Sequence, residues 1–117
     1  MITVLYGIPN CQTVKKARDW LTTHQIDYIF HDFRKNGLDD SLLKQWTSMV
    51  SWDMLLNRRG LTWRKLAPEE RDNINENRAI LLMHRHPTLI KRPILSYNNH
   101  IKVGFSPEHY QQLFDGS

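Results

Sequence analysis

The sequence predicts an α/β protein with a four-stranded mixed sheet and a long all-helical insertion between its second and third strands. Three observations predict this class. The N-terminal third reads as strand, helix and strand; the C-terminal quarter reads as a hairpin and a helix; and the intervening fifty or so residues show helical but not strand periodicity. The resulting order is β-α-β, helical insertion, β-β-α.

A strand, a helix and a second strand are predicted in the N-terminal third from its apolar runs and the residues that interrupt them. Ile2 to Tyr6 is a short β-branched run typical of a buried strand, and Gly7 ends it. Residues 11–24 carry apolar side chains at helical spacing, and residues 26–31 form a second strand pattern a few residues later. A strand, a helix of about four turns and a strand predict a parallel pair with a right-handed crossover.

The middle of the chain predicts several helical pieces. Asp39 or Asp40 can cap a helix with an apolar face, and Ser51 can cap a second, shorter one. Residues 57–67 are interpreted as a basic connector around Gly60. Pro68 with two following acids predicts a first helical turn, and residues 75–86 predict a further helix.

The last third returns to strand patterns. Pro93 to Tyr97 and His100 to Val103 predict two strands, and the two-residue link Asn98-Asn99 suits a tight hairpin. Ser106-Pro107-Glu108 predicts a helix start, with a cap, a proline at the first position and an acid in the first turn.

A βαβ unit followed by a ββα unit is the element order of the thioredoxin fold. We therefore expect one domain over residues 1–117. Its thioredoxin-like core would span residues 1–36 and 88–117, and the helical insertion would cover about 37–87.

Composition narrows the function classes. The chain has 117 residues, a net charge of +4 and one cysteine, which excludes an intramolecular disulfide and a Cys-only zinc site. Residues 57–92 hold nine basic and four acidic side chains, so all of the positive excess lies there. The ordinary interpretation is a solvated surface of mixed charge, and the functional alternatives are a pocket for a small anion and a nucleic-acid-binding patch. Nucleic acid is less favoured because no Lys/Arg run exceeds two residues.

Cys11 is the candidate nucleophile. It stands at a predicted helix N-terminus, where unpaired N–H groups favour a thiolate, and Lys15 adds positive charge one turn later. The alternative is a small buried side chain, the usual fate of a free cysteine. Val14 stands where a CxxC motif would have its second thiol, so an external thiol is needed, and glutathione is the abundant cytosolic one. No metal ligand set or membrane-spanning run is predicted, and we expect a cytoplasmic protein.

Four segments together resemble one family. They are YGIPNCQTVKKA at 6–17, NRRGLTWRKL at 57–66, LIKRPI at 89–94 and GFSPE at 104–108. In order and spacing the chain resembles the ArsC/Spx family of thioredoxin-fold proteins, closest to its YffB branch. The resemblance extends over nearly the whole chain.

The resemblance implies a set of site residues. It assigns the nucleophile to Cys11 and anion-binding arginines to Arg59 and Arg92, with Arg58 as the alternative to Arg59. It aligns Pro93 with the family's cis-proline. The remaining contacts that it implies to substrate or glutathione are Asn10, Thr13 and Lys15. A guanidinium fork suits these roles because it binds oxyanions in two contacts and stabilises a thiolate.

One departure shapes the functional hypothesis. Arsenate reductases of this family carry a third arginine ahead of the last helix, where this chain has Phe105. We therefore expect a glutathione-dependent thiol/disulfide oxidoreductase with glutathione as co-substrate and a small anion or disulfide as substrate. The alternatives are an arsenate reductase with an incomplete arginine set and an Spx-like adaptor that binds RNA polymerase or another protein.

Overall fold

The computed structural model describes residues 2–115, which form two compact units. Unit 1 comprises the chain up to Asp32 and again from Arg92, and unit 2 comprises Phe33–Lys91. This division lies a few residues from the expected ends of the insertion. Within the described range, no helix is long and apolar enough to cross a membrane.

Unit 1 is built on one sheet of four strands. They are β1 (Val4–Gly7), β2 (Ile29–Asp32), β3 (Ile94–Tyr97) and β4 (His100–Val103). The strand order is β2-β1-β3-β4; β1 and β2 are parallel, and the other two pairings are antiparallel. This confirms the mixed four-stranded, thioredoxin-like sheet.

Helices α1 (Gln12–Thr23) and α8 (Pro107–Asp115) complete unit 1. Helix α1 buries the apolar positions that the helical spacing predicts. Tyr110 of α8 is fully buried as well. The core of unit 1 combines strand and helix side chains: Leu5, Ala17, Leu21, Leu95 and Tyr110.

The predicted β3–β4 hairpin with its tight two-residue turn is confirmed. Asn98 and Asn99 have φ values of 50° and 62°, which is the pair of left-handed residues that a type I′ turn requires. Asparagine tolerates this region better than most residues do, so the sequence itself specifies the turn.

Unit 2 consists of short helices and one isolated strand bridge. The helices are α2 (Phe33–Asn36), α3 (Asp40–Met49), α4 (Trp52–Leu55), α5 (Leu61–Lys65), α6 (Pro68–Arg71) and α7 (Glu76–Arg85), followed by a 3₁₀ turn at Pro87–Leu89. Helices α3 and α4 pack against α7. The bridge joins Leu56 to Ile90.

Three local expectations are corrected. The basic connector 57–67 contains a helix, α5, and α2 was not predicted. The second strand begins at Ile29 rather than residue 26. The amide of Ile26 donates to the carbonyl of Leu21 at 2.9 Å and so still belongs to the end of α1, where Gln25 has φ 58°.

Candidate active site

Cys11 lies at the N-cap of α1, four residues after β1 ends. Its backbone is extended (φ −102°, ψ 126°) and the residue is partly exposed. The approach to α1 is tight. A Cβ on Gly7 would lie 2.7 Å from Cγ2 of Val14, so a glycine is needed where β1 meets the first turn of the helix. This packing fixes the loop that carries the thiol.

The pKa of the Cys11 thiol is below its usual value. Partial burial raises this pKa, but the Val14 amide, the Arg92 side chain and the Thr13 amide outweigh burial by stabilising the thiolate. Thr13 and Val14 are the second and third residues of α1, whose amides lack partners within the helix. The Cys11 side chain makes no full capping hydrogen bond, yet both amides stabilise its thiolate.

Arg92 reaches the thiol because of strand pairing. In the antiparallel β1–β3 pair Tyr6 faces Ile94, so the chain just ahead of β3 lies beside the end of β1. The Arg92–Pro93 peptide is cis, as the resemblance implies, and Pro93 is buried. The Gly104 amide donates to the Pro93 carbonyl at 2.8 Å and ties this segment to the end of β4. The sheet thus brings one arginine to Cys11.

The other predicted residues of unit 1 surround this centre along the chain. Asn10 precedes the thiol and is exposed, and Thr13 contributes its amide. Lys15 is exposed one turn along α1 and lines a cavity of about 320 Å³ beside the helix.

Arg58 and Arg59 lie in unit 2 and differ sharply in their contacts. The guanidinium of Arg58 pairs with Asp53 at 2.6 Å and lies 5.7 and 5.8 Å from the ring centres of Trp52 and Trp63. These contacts give Arg58 a role in holding unit 2 together.

The side chain of Arg59 is exposed, whereas its backbone is held on both sides. Its amide donates to Oδ1 of Asn57 at 3.1 Å, and its carbonyl accepts from Arg64 at 3.1 Å. Arg58, Arg59 and Lys91 line the same cavity of about 400 Å³, which Asp53 also borders. In the described part of the chain Arg58 is paired with a carboxylate and Arg59 is not, and the choice between them as the anion-binding residue stays a prediction.

Phe105 packs into the core of unit 1. Its ring meets that of Tyr110 edge to face at a centroid distance of 4.8 Å. An aromatic ring in this environment offers no hydrogen-bond donor to an oxyanion. Across residues 2–115, no group of three or more His, Cys, Asp or Glu side chains could hold a metal ion.

Sequence reasoning missed two features of this region. The first is the Trp52–Arg58–Trp63 cluster, which distinguishes the two arginines. The second is a polar stripe on α1 that includes Arg18 and Asp19. The stripe was visible as polar residues spaced three and four apart, a pattern that is easily attributed to an ordinary solvated face.

The comparisons with known proteins find relatives that match nearly the whole chain. An uncharacterised protein of Haemophilus influenzae is 43% identical, over 97% of this chain and 99% of its own length. The solved structure of the YffB (PA3664) protein is 44% identical with a TM-score of 0.90, over 92% of this chain and 95% of that one.

An arsenate reductase (ArsC) related protein of Brucella melitensis is 46% identical with a TM-score of 0.77, over 97% of this chain and 95% of that one. Further relatives, 24% to 30% identical, are named global transcriptional regulator Spx. The ArsC family model matches residues 6–113. This match extends over most of the chain and the fold agrees with it, so the chain belongs to the ArsC family.

Proposed function

We propose that this protein is a thiol/disulfide oxidoreductase that uses glutathione as co-substrate and Cys11 as its nucleophile. The observation that carries the proposal is the lowered thiol pKa of Cys11, produced by two helix amides and by Arg92. A lowered thiol pKa increases the thiolate fraction near neutral pH, and the thiolate is the reactive form.

The proposed chemistry is thiol–disulfide exchange. The Cys11 thiolate attacks one sulfur of a disulfide; a new S–S bond forms as the old one breaks, and the second half leaves as a thiolate. A glutathione thiolate then attacks the sulfur bonded to Cys11, which releases the Cys11 thiolate. Because the chain has one cysteine, the second step requires an external thiol. The exchange needs no metal or organic cofactor, and we propose that it takes place in the cytoplasm.

Arg92 is the proposed anion-binding and thiolate-stabilising residue of unit 1, and Arg59 is the corresponding candidate in unit 2. Asn10, Thr13, Lys15 and Pro93 are proposed as surrounding contacts for the substrate or for glutathione. A guanidinium can bind a carboxylate through two parallel hydrogen bonds, which suits the carboxylates of glutathione.

Arsenate is a less suitable substrate. Phe105, which stands where arsenate reductases of the family have a third arginine, packs against Tyr110. The oxyanion would lose one charged donor, and hydrogen bonds to charged groups contribute about 1.5–3 kcal/mol each.

The test is incubation with glutathione disulfide followed by intact-mass measurement. We expect one glutathionyl group on the wild type and none on Cys11→Ser. Added glutathione should then restore the original mass. Arg92→Ala should react more slowly than the wild type. Arg85→Ala removes an exposed cation of α7 instead; it is the matched charge control and should react like the wild type. Absence of the mass gain, or its persistence in Cys11→Ser, contradicts the proposal.

The second candidate function is an adaptor that binds RNA polymerase or another protein, favoured by the relatives named Spx. The pH dependence of iodoacetamide alkylation separates the two functions. A Cys11 pKa near the ordinary value of about 8.5, without glutathione turnover, favours the adaptor. A depressed pKa with turnover favours the oxidoreductase.

A further inference from the structure

The polar stripe on α1 borders a cavity of about 320 Å³ within unit 1. Its lining combines two cations, one carboxylate and two hydroxyl groups, and it reaches the loop that carries Cys11 at Pro9. The other lining residues are Lys15, Arg18, Asp19, Thr22 and Tyr28. The four helical residues fall within about 100° of arc, because an α-helix turns once in 3.6 residues. We call this cavity the α1 pocket.

Arg18 is the fixed element of the α1 pocket. Its Nε donates to the Tyr28 hydroxyl at 3.0 Å, and its guanidinium lies 4.1 Å from the ring centre of Phe30. These contacts hold the plane of the guanidinium in one orientation. In the described part of the chain, neither Lys15 nor Asp19 has an ion-pair partner within 4.0 Å, and both line the cavity.

We propose that the α1 pocket binds the zwitterionic α-amino acid end of the γ-glutamyl residue of a glutathionyl group joined to Cys11. The assignment rests on the proposed function and adds a recognition site to it. Lys15 and Arg18 are placed to bind the α-carboxylate, and Asp19 is placed to bind the α-ammonium. A ligand with both charges on one carbon suits a pocket with both complementary charges on neighbouring residues.

The dimensions of glutathione agree with this placement. Arg18 and Asp19 lie about 10–12 Å along α1 from Cys11, at 1.5 Å per residue. Their side chains lean toward the helix N-terminus, which shortens the gap. Seven bonds join the glutathione sulfur to the α-carbon of its γ-glutamyl residue. The extended span is about 9 Å, and the disulfide to Cys11 adds about 2 Å.

The experiment compares the rates at which Cys11 forms mixed disulfides with two reagents, followed by intact mass. Glutathione disulfide carries the γ-glutamyl group, and bis(2-hydroxyethyl) disulfide is neutral and lacks it. The ratio of the two rates cancels any change in the intrinsic reactivity of the thiol. Circular dichroism confirms that each variant folds.

The Asp19→Asn variant gives the sharpest result because an effect of net charge and loss of ammonium binding would change the rate ratio in opposite directions. If only net charge mattered, removal of a negative charge would speed reaction with the anionic glutathione disulfide. If Asp19 binds the ammonium, the rate ratio falls, by about threefold for an exposed ion pair. Asp72→Asn removes an exposed carboxylate of unit 2 as the matched control and should leave the ratio unchanged.

Lys15→Gln should also lower the ratio, and by more than Lys16→Gln, whose exposed side chain is absent from the lining of the α1 pocket. An unchanged or higher ratio in Asp19→Asn overturns the pocket assignment while leaving the Cys11 chemistry intact. Failure of Cys11 to react with either disulfide instead overturns the proposed function, and the pocket assignment with it.

Discussion

The N-termini of α1 and α7 show two uses of the same helix end. In unit 2, α7 begins at Asn75, whose Oδ1 accepts a hydrogen bond from the amide of Arg78 at 2.9 Å. In unit 1, α1 begins at Cys11, which makes no complete side-chain cap. At the start of α7 an asparagine side chain caps a free amide and so stabilises the helix. At the start of α1 the free amides stabilise a thiolate instead.

The arginines of the two units differ in the same way. Arg58 is held by Asp53 and two tryptophans, so its charge serves the packing of unit 2. Arg92 acts on the Cys11 thiol. The basic side chains of residues 57–92 therefore do not all serve the same role. What an arginine does here depends on whether a carboxylate or a thiol lies within its reach.

The largest expected effect is that of Arg92→Ala on reaction with glutathione disulfide at pH 7. We expect the rate to fall on the order of tenfold, because a charge-assisted contact to the thiolate and an anion-binding group are lost together. Arg58→Ala should change this rate less than threefold and should mainly lower the stability of unit 2. Intact-mass kinetics and urea unfolding measure the two effects.

Arg85→Ala is the control for loss of one positive charge and should leave the rate near that of the wild type. If Arg58→Ala slowed the reaction as much as Arg92→Ala, the division of roles between the two arginines would be wrong.

A smaller effect is expected at the cap of α7. Asn75→Ala should lower the free energy of unfolding by about 1 kcal/mol, because the Arg78 amide loses its acceptor. Asn77→Ala, at an exposed position within the same helix, should be neutral or slightly stabilising, since alanine has the higher helix propensity. Equal losses in both variants, measured by urea unfolding, would contradict the capping role.

Much of the fold can be predicted from the sequence, because many of its elements are specified locally. The hairpin asparagines, the serine before α4 and the proline at the start of α8 each specify their elements locally, and the structure has them there. The strand–helix–strand order also specifies the parallel pair. These features depend on neighbours in the chain, which a sequence displays directly.

The distinction between Arg58 and Arg59 was not available from sequence. It depends on a carboxylate five residues away and on two aromatic rings, which short helices bring around one guanidinium. The short helices α2 and α5 were missed for a related reason. Four or five residues give too little periodicity to detect, and such helices are held by tertiary packing.

The smallest expected effect tests the cap of α1 directly. Serine is a better N-cap than a neutral thiol, so Cys11→Ser should be more stable than the wild type at low pH, by about 0.5 kcal/mol. This advantage should shrink as pH rises. A thiol pKa that is lower in the folded than in the unfolded chain stabilises the wild type progressively from the folded pKa upward, and fully above the unfolded value of about 8.5.

The measurement is the difference in free energy of unfolding between wild type and Cys11→Ser across this pH range, in reducing buffer. All other titrating groups are shared by the two proteins, so their contributions cancel in the difference. A difference that stays constant with pH would show that neither the amides of α1 nor Arg92 favours the thiolate. The contrast with the α7 cap would then be lost, because the start of α1 would have neither a structural cap nor a reactive sulfur.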